Sequence, residues 1–417
     1  MPFVRFAVPI ALQALILFLL ITAAARFCAL LKGCYVLRRY GRAGTRDDGA
    51  VLLKSPLVPT VSTLVVAREF QPEIRDLVRR LLGLHFGQHE VVLVIDGPTD
   101  AQLATWVEEF HLVPSGRPHT GTVRGIYESR EPLKMVAVDK QPGSAGEALN
   151  DGMNVAAGSV IALFASDSEI APDCLLRLIR PMLEDPERTA AVLATAPGPA
   201  SKSAFAAIET LRMWLVRCAA FSGWDMLVPV PGCATLLRRE VIAQAGGFRS
   251  GAMELLVRLH GQARAKGRKF RVGFVPSPVA YLPPPRGLRV QRRRIADDQR
   301  AIARAISRHR IRALGWGLPG LLCSRLLAPL AETAAYVLTA FGLALHWIPP
   351  ELAALALLAT IGAGILISMA AVVLRELALV RGSGPAELRR LFFAAIPENL
   401  GYRQVRNLWL IADYFRA

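Results

Sequence analysis

The sequence predicts an α/β domain with a mostly parallel sheet, joined to α-helical segments that cross a membrane. Three observations carry this prediction. Short apolar runs bounded by Gly, Pro and Asp alternate with stretches of helical period, the pattern of βαβ units. One run, Val160–Phe164, ends in Ala165-Ser166-Asp167-Ser168-Glu169, an acidic cluster beyond the carboxyl end of a buried strand, where open α/β sheets bind ligands. Apolar segments long enough to cross the hydrocarbon core lie near both ends of the chain.

The first segment, Phe6–Ala25, runs about 20 residues without a charge, the length of a membrane span. It exceeds the apolar core of a secretory signal, about 7–15 residues, although Ala23-Ala24-Ala25 resembles a cleavage site. Arg38, Arg39, Arg42 and Arg46 follow, which keeps that side cytoplasmic by the positive-inside rule. Residues 26–54 read as a basic, Gly-containing linker, so residues 1–54 form an anchor and its connection.

Residues 55–285 carry the α/β pattern. A strand at Val61–Val66 precedes an amphipathic helix with Ile74, Leu77, Val78, Leu81 and Leu82 on one face. The strand Glu90–Ile95 ends in the turn signature Asp96-Gly97-Pro98-Thr99-Asp100. A helix over Ala101–Phe110, a looser stretch, the strand Met135–Val138 and a helix near Glu147–Ala157 lead to Val160.

Beyond this domain, residues 286–326 are strongly basic. Arg300, Arg304 and Arg308 share one helical face, as expected of an amphipathic helix on a cytoplasmic membrane surface. Residues 327–374 hold two further spans, Leu327–Trp347 and Leu352–Leu374, joined by a loop without Lys or Arg. Glu332 sits inside the first of these and is costly there unless paired, for which Arg325 is one candidate; lining an acceptor passage is the other reading. Residues 375–417 form a cytoplasmic tail whose stretch Leu391–Phe415, broken by Pro397-Glu398-Asn399, reads as interfacial, with a fourth span as the alternative. These features together predict a multi-pass protein of the inner (plasma) membrane with its α/β domain in the cytoplasm.

The net charge of +17 clusters beside the apolar spans, and no zinc spacing or aromatic-basic RNA motif accompanies it. Attraction to anionic membrane lipids accounts for it, and no nucleic-acid partner is expected. The six cysteines include no C-x-x-C pair, so neither a metal site nor a disulfide framework is indicated.

The order of these elements, with Gly246-Gly247-Phe248, Arg258-Leu259 and Gln291-Arg292-Arg293-Arg294 before paired spans, resembles the membrane-bound family 2 glycosyltransferases. These are relatives of the cellulose, hyaluronan and poly-N-acetylglucosamine synthases and of ceramide glucosyltransferase. The resemblance implies a GT-A fold, a nucleotide-diphosphate-sugar donor, a lipid or glycan acceptor, and displacement with inversion at the anomeric carbon. It also implies a divalent metal, Mg or Mn, on the diphosphate leaving group, and a carboxylate base for the acceptor hydroxyl.

Carried over by residue, the resemblance makes Asp96 the acid that contacts the nucleotide base; by itself Asp96 also suits a turn before Gly97. The metal acids fall at Ala165 and Asp167 in one register, and at Asp167 and Glu169 in another. The base is expected at Gly251-Ala252, where there is no carboxylate. Glu254, two residues on, points about 200° around a helix from Ala252 and is either a displaced base or a solvated helix carboxylate. Val66-Ala67-Arg68-Glu69 and Ser144 depart from the family's usual first-strand loop and Lys. The membrane motif keeps Gln291 and Arg294, which would hold the diphosphate and the acceptor end, and lacks its Trp. Two readings follow: an active transferase, or a catalytically impaired paralogue acting as partner or regulator of an active synthase subunit.

Overall fold

The computed structural model describes residues 2–43, 58–119, 121–130, 134–165, 168–194, 196–197, 203–224, 234–265, 270–275, 280–282, 292, 296, 326–378 and 384–415. Two compact units make up the chain. One takes residues 1–45, 199–228 and 284–417; the other takes 46–198 and 229–283. Residues 199–228, inside the stretch 55–285 of the α/β pattern, thus belong with the helices.

The chain opens with α1 (Pro2–Ala43), a single helix. The expected linker from residue 26 is therefore helical through residue 43. Ala29, Leu30, Cys34 and Leu37 bury one side of this extension. Gly33 does not break it, because a Cβ there would meet the Leu215 carbonyl oxygen at 2.2 Å: the glycine permits a close approach of two backbones.

In the α/β unit, β1 (Val61–Ala67), α2 (Pro72–Leu82), β2 (His89–Asp96) and α3 (Asp100–Glu109) follow the expected order. The α2 residues Ile74, Leu77, Val78 and Leu81 are buried, as the helical spacing requires. Trp106 of α3 is fully buried between Phe70 and Phe110. The looser stretch holds β3 (Leu112–Pro114) and β4 (Val123–Ser129), then come β5 (Met135–Lys140), α4 (Ala145–Val155) and β6 (Val160–Phe164). The remaining elements are β7 (Glu169–Ile170), α5 (Cys174–Glu184), β8 (Thr189–Ala194), β9 (Ala196–Pro197), β10 (Ala234–Arg238), α7 (Arg239–Gln244), α8 (Ala252–Ala265), β11 (Arg271–Val275) and β12 (Ala280–Leu282).

Among the described residues, nine strands form one sheet in the order β11-β8-β10-β6-β1-β2-β5-β4-β3. Its centre, β6-β1-β2-β5, is parallel. Antiparallel β10 and the β3–β4 pair flank it. Val91 to Ile95 are wholly buried, since a central parallel strand is covered on both faces. The small sheet β7-β12-β9 gathers short segments that follow β6, β11 and β8 respectively.

The helical unit joins α1 to α6 (Ala204–Met213), which continues as a π turn over Trp214–Ala220. It also contains α9 (Ala328–Ala344), α10 (Pro350–Leu357) and α11 (Ala363–Ala378), the last two linked through a π turn over Leu358–Gly362. Helices α12 (Pro385–Pro397) and α13 (Arg403–Phe415) are linked through another π turn, Glu398–Tyr402. The sequence break at Pro397-Glu398-Asn399 is thus absorbed by a wider turn rather than by a loop.

Among the described residues, two helical stretches, Phe6–Tyr40 and Pro350–Ala378, are long and apolar enough to cross a membrane; α9, expected as a span, has 17 described residues and falls short of that length. Large apolar side chains stand exposed on this unit, among them Phe6, Leu17, Phe341, Leu358, Leu366 and Leu400. Its interior is partly polar. Glu332 pairs with Arg403 and approaches Arg26 at 3.8 Å; Arg325, the partner suggested by sequence, lies outside the described residues.

Candidate functional site

Parallel strands β1, β2 and β5 end at the same edge of the sheet, and three charged side chains meet there. Asp96 closes β2, Lys140 closes β5, and Arg68 follows β1 by one residue. The Lys140 ammonium donates to Asp96 Oδ1 at 2.9 Å, the Gly143 amide donates to the same oxygen at 2.9 Å, and Arg68 Nε donates to Oδ2 at 3.2 Å. Lys140 also donates to the Gln141 carbonyl at 2.6 Å and lies 4.0 Å from Asp151. Burial pushes the Asp96 carboxyl up, but Lys140, the Gly143 amide and Arg68 outweigh it and hold the carboxyl below its ordinary value.

The local sequence explains the approach. Gly97 has φ +70, and a Cβ there would meet Pro142 at 2.8 Å, so two loops pass each other closely beside Asp96. Ser144 caps α4: its hydroxyl accepts from the Glu147 amide while the Glu147 carboxylate accepts from the Ser144 amide. Ser144, where the resemblance expects a Lys, therefore starts a helix beside a strand that already supplies a Lys. Arg124 reaches the Pro98 carbonyl at 3.1 Å and pairs with Asp139, bracing the turn after β2.

Asp96 is thus more than a turn residue. It is the centre of a charge cluster whose outermost group, Arg68, has a side chain 68% exposed. Such an edge can receive a polar ligand through the planar donors of Arg68 while the buried Asp96–Lys140 pair keeps the loops in place. Sequence reasoning missed Lys140. Its only signal was a lysine two residues beyond the expected strand Met135–Val138, a place where a solvated residue is the ordinary expectation.

The acidic loop after β6 is partly described. The Ala165 carbonyl accepts from the Ser168 amide at 3.0 Å and from its hydroxyl at 2.7 Å. Asp167 lies outside the described residues. Glu169 opens β7, opposite Tyr281 of β12, and its side chain is exposed. Among the described residues no group of three His, Cys, Asp or Glu gathers as a metal site. Glu169 is a hard oxygen donor free to reach solvent, which fits Mg or Mn held mainly by a ligand's own phosphates with one or two carboxylates.

Glu254 is not solvated. It lies in the first turn of α8 with its side chain buried, and Arg258 Nε stands 3.6 Å from Oε1. Arg258 also donates to the Gly247 carbonyl. Gly247 has φ +75 and packs on Asn150, which brackets Phe248 by accepting from its amide at 2.8 Å and donating to its carbonyl at 2.9 Å. The Gly246-Gly247-Phe248 turn is therefore tied to both α4 and α8, and Glu254 is held as part of that tie. Gln291 and Arg294 lie outside the described residues. Their neighbour Arg292 is helical and lies over the Trp409 ring at 5.9 Å.

The fold matches that of a solved glycosyltransferase. The chain is 20% identical to the mannosyltransferase PcManGT from Pyrobaculum calidifontis, solved with GDP-Man and Mn2+, with a TM-score of 0.54 over 95% of this chain and 99% of that one. It is 14% identical to TarS 1–349 from S. aureus in complex with UDP-GlcNAc, with a TM-score of 0.40 over 83% and 92% of the two chains. No curated protein sequence matches. Residues 62–244 match the glycosyl transferase family 2 model, and the α/β unit has the GT-A fold.

Proposed function

We propose that this protein is a membrane glycosyltransferase that moves a sugar from a nucleotide-diphosphate-sugar to a lipid or growing glycan, with inversion at the anomeric carbon. The observation that supports it best is the charge cluster of Asp96, Lys140 and Arg68 at the carboxyl edge of the sheet. PcManGT, which shares the fold, was solved with GDP-Man and Mn2+. Asp96 contacts the nucleotide base in this reading, and Arg68 swings from the carboxylate onto the donor.

Asp167 and Glu169 would hold Mg or Mn, which supplies neutralisation of the diphosphate leaving group. Gln291 and Arg294 bind the diphosphate and the acceptor end beneath the membrane. The exposed apolar side chains of the helical unit contact membrane lipids, and the Arg-rich segments face the cytoplasm of an inner (plasma) membrane. The domains of this reading are the anchor (1–54), the transferase domain (55–285), basic interfacial helices (286–326), two spans (327–374) and a tail (375–417).

A second reading, a catalytically impaired partner of another synthase subunit, draws on Glu254. Its buried pairing with Arg258 argues against an acceptor base at that position, and no carboxylate stands at Ala165, Gly251 or Ala252. Full-length protein in detergent, titrated with GDP- and UDP-sugars in Mg or Mn, separates the two. Metal-dependent turnover of one donor, with its affinity falling about tenfold or more in Asp96→Asn, supports the transferase. Donor binding without transfer or hydrolysis supports the impaired partner, and no binding of any donor sinks both.

A further inference from the structure

The helical unit contains a layer of charge that the donor site does not use. Arg403 and Asn407 of α13 donate to Glu332 of α9, Asn407 at 2.7 Å. Arg212 of α6 pairs with Glu398, which also accepts from Ser368 of α11 at 2.9 Å and from Asn399 at 2.7 Å. Arg406 pairs with Glu209 at 3.2 Å, and Tyr402 donates to the same carboxylate at 3.1 Å. The layer is close-packed: a Cβ on Gly364 would lie 2.4 Å from Asn399 Oδ1 and also strike the Arg403 guanidinium.

Two features set this layer apart from a set of closed ion pairs. Among the described residues, four guanidinium groups (Arg26, Arg212, Arg403, Arg406) face three carboxylates (Glu209, Glu332, Glu398), leaving one positive charge over. The surplus falls on Arg26. Its nearest carboxylate is Glu332 at 3.8 Å, already engaged by Arg403 and Asn407, while Arg403, Arg406 and Arg212 all act on it electrostatically. Arg26 makes no hydrogen bond among the described residues, and its side chain is 27% exposed, open to the unit's surface. Arg406 Nε is buried with no partner among the described residues.

The depth of the layer matters. Leu12, Ile16 and Leu19 of α1 share a buried apolar cluster with Ala331 and Ala335 of α9 and Ala353 of α10. Arg26 ends the uncharged run Phe6–Ala25, about 30 Å along α1 from Phe6 at about 1.5 Å per residue. A hydrocarbon core is about 30 Å thick, so Arg26 reaches the headgroup level on the side of the basic flank. A guanidinium that shares its one carboxylate with a second arginine there gains from a further anion, and a lipid phosphate is the anion available at that level.

We propose that this layer seats the phosphate of a membrane lipid headgroup, with Arg26 as the group that receives it. The inference rests on the membrane reading above. The lipid is either a long-chain phosphate monoester of the kind an acceptor would be, or a bulk anionic phospholipid diester. Arginine supplies the planar paired donors that phosphate oxygens take.

The test uses full-length protein in phosphatidylcholine nanodiscs doped with a long-chain alkyl phosphate monoester or with phosphatidylglycerol, and native mass spectrometry to count retained lipid. Wild type retains one anionic lipid per chain; Arg26→Gln loses it about tenfold, and Arg26→Lys, which keeps the charge, restores part of it. Arg39→Gln, an exposed arginine of the same helix, leaves retention unchanged. Preference for the monoester assigns the seat to an acceptor-type lipid, and equal retention of the diester assigns it to bulk phospholipid. Equal retention by wild type and Arg26→Gln in both arms, or retention of phosphatidylcholine alone, overturns the proposal. The Asp96→Asn protein retains the lipid as wild type does, so loss of donor binding and loss of lipid retention are separate results.

Discussion

His89 and Asp96 stand at the two ends of β2, and burial acts on them in opposite ways. Asp96 meets a lysine, an amide and an arginine, and stays charged. His89 meets the Thr63 hydroxyl at 2.8 Å, and burial, aided by the charge of Lys134, pushes its pKa down to about 4. An unfolded chain takes up this proton near pH 6.5. The stabilisation is therefore whole above about pH 6.5 and is lost as pH falls towards about 4, because only the unfolded state binds the proton in that window. At about 1.4 kcal/mol per pH unit, the loss reaches about 2 kcal/mol by pH 5. Thermal unfolding followed between pH 7 and 5 should show this slope, and His89→Gln should flatten it. An unchanged slope in the variant would mean that another group titrates. Asp96 was legible as an acid after a strand; Lys140 was not, since a strand-ending lysine carries no sign of the carboxylate it will meet across the sheet.

Elements were legible where an apolar period is strong. The α2 face and the strands β1, β2, β5 and β6 follow directly from spacing, whereas β3 and β4, with weak patterns, depend on pairing with their neighbours. The extension of α1 past residue 26 was hidden by its charges and glycines, which alone suggest a linker. Its helix persists because buried positions and the Gly33 approach to Leu215 stabilise it. Ser144 shows the opposite case, a departure from the family pattern that local chemistry explains. Removing its cap in Ser144→Ala should cost about 1 kcal/mol, a fall in melting midpoint of roughly 2–4 °C by scanning fluorimetry. A much larger fall would show that the Ser144 hydroxyl also supports the Asp96 cluster.

At the scale of the molecule, the helical unit exposes its apolar side chains and buries charged ones. Along α12 and α13, Phe393, Leu400, Val405 and Leu408 are exposed while Glu398, Asn399, Arg403 and Asn407 are buried. This is the reverse of a helix packed in water, and it is why a stretch read as interfacial contributes a polar interior. The chain should stay with sedimented membranes through an alkaline carbonate wash that strips peripheral proteins. Release into the supernatant would mean that protein, rather than lipid, covers these side chains.

By itself the sequence determined the parallel α/β core, the apolar segments, their basic flanks and the edge of the sheet where acids collect. Each of these is written in neighbouring residues: a period of apolar positions, an uncharged run, a turn after a strand. Only the tertiary structure decided the partners. Asp96 with Lys140, Glu254 with Arg258, and Glu332 with Arg403 are pairs of opposite charge, and two of the three join residues far apart in the chain. Burial gives a charge its consequence, and which charges meet out of water is settled by packing, not by any local pattern.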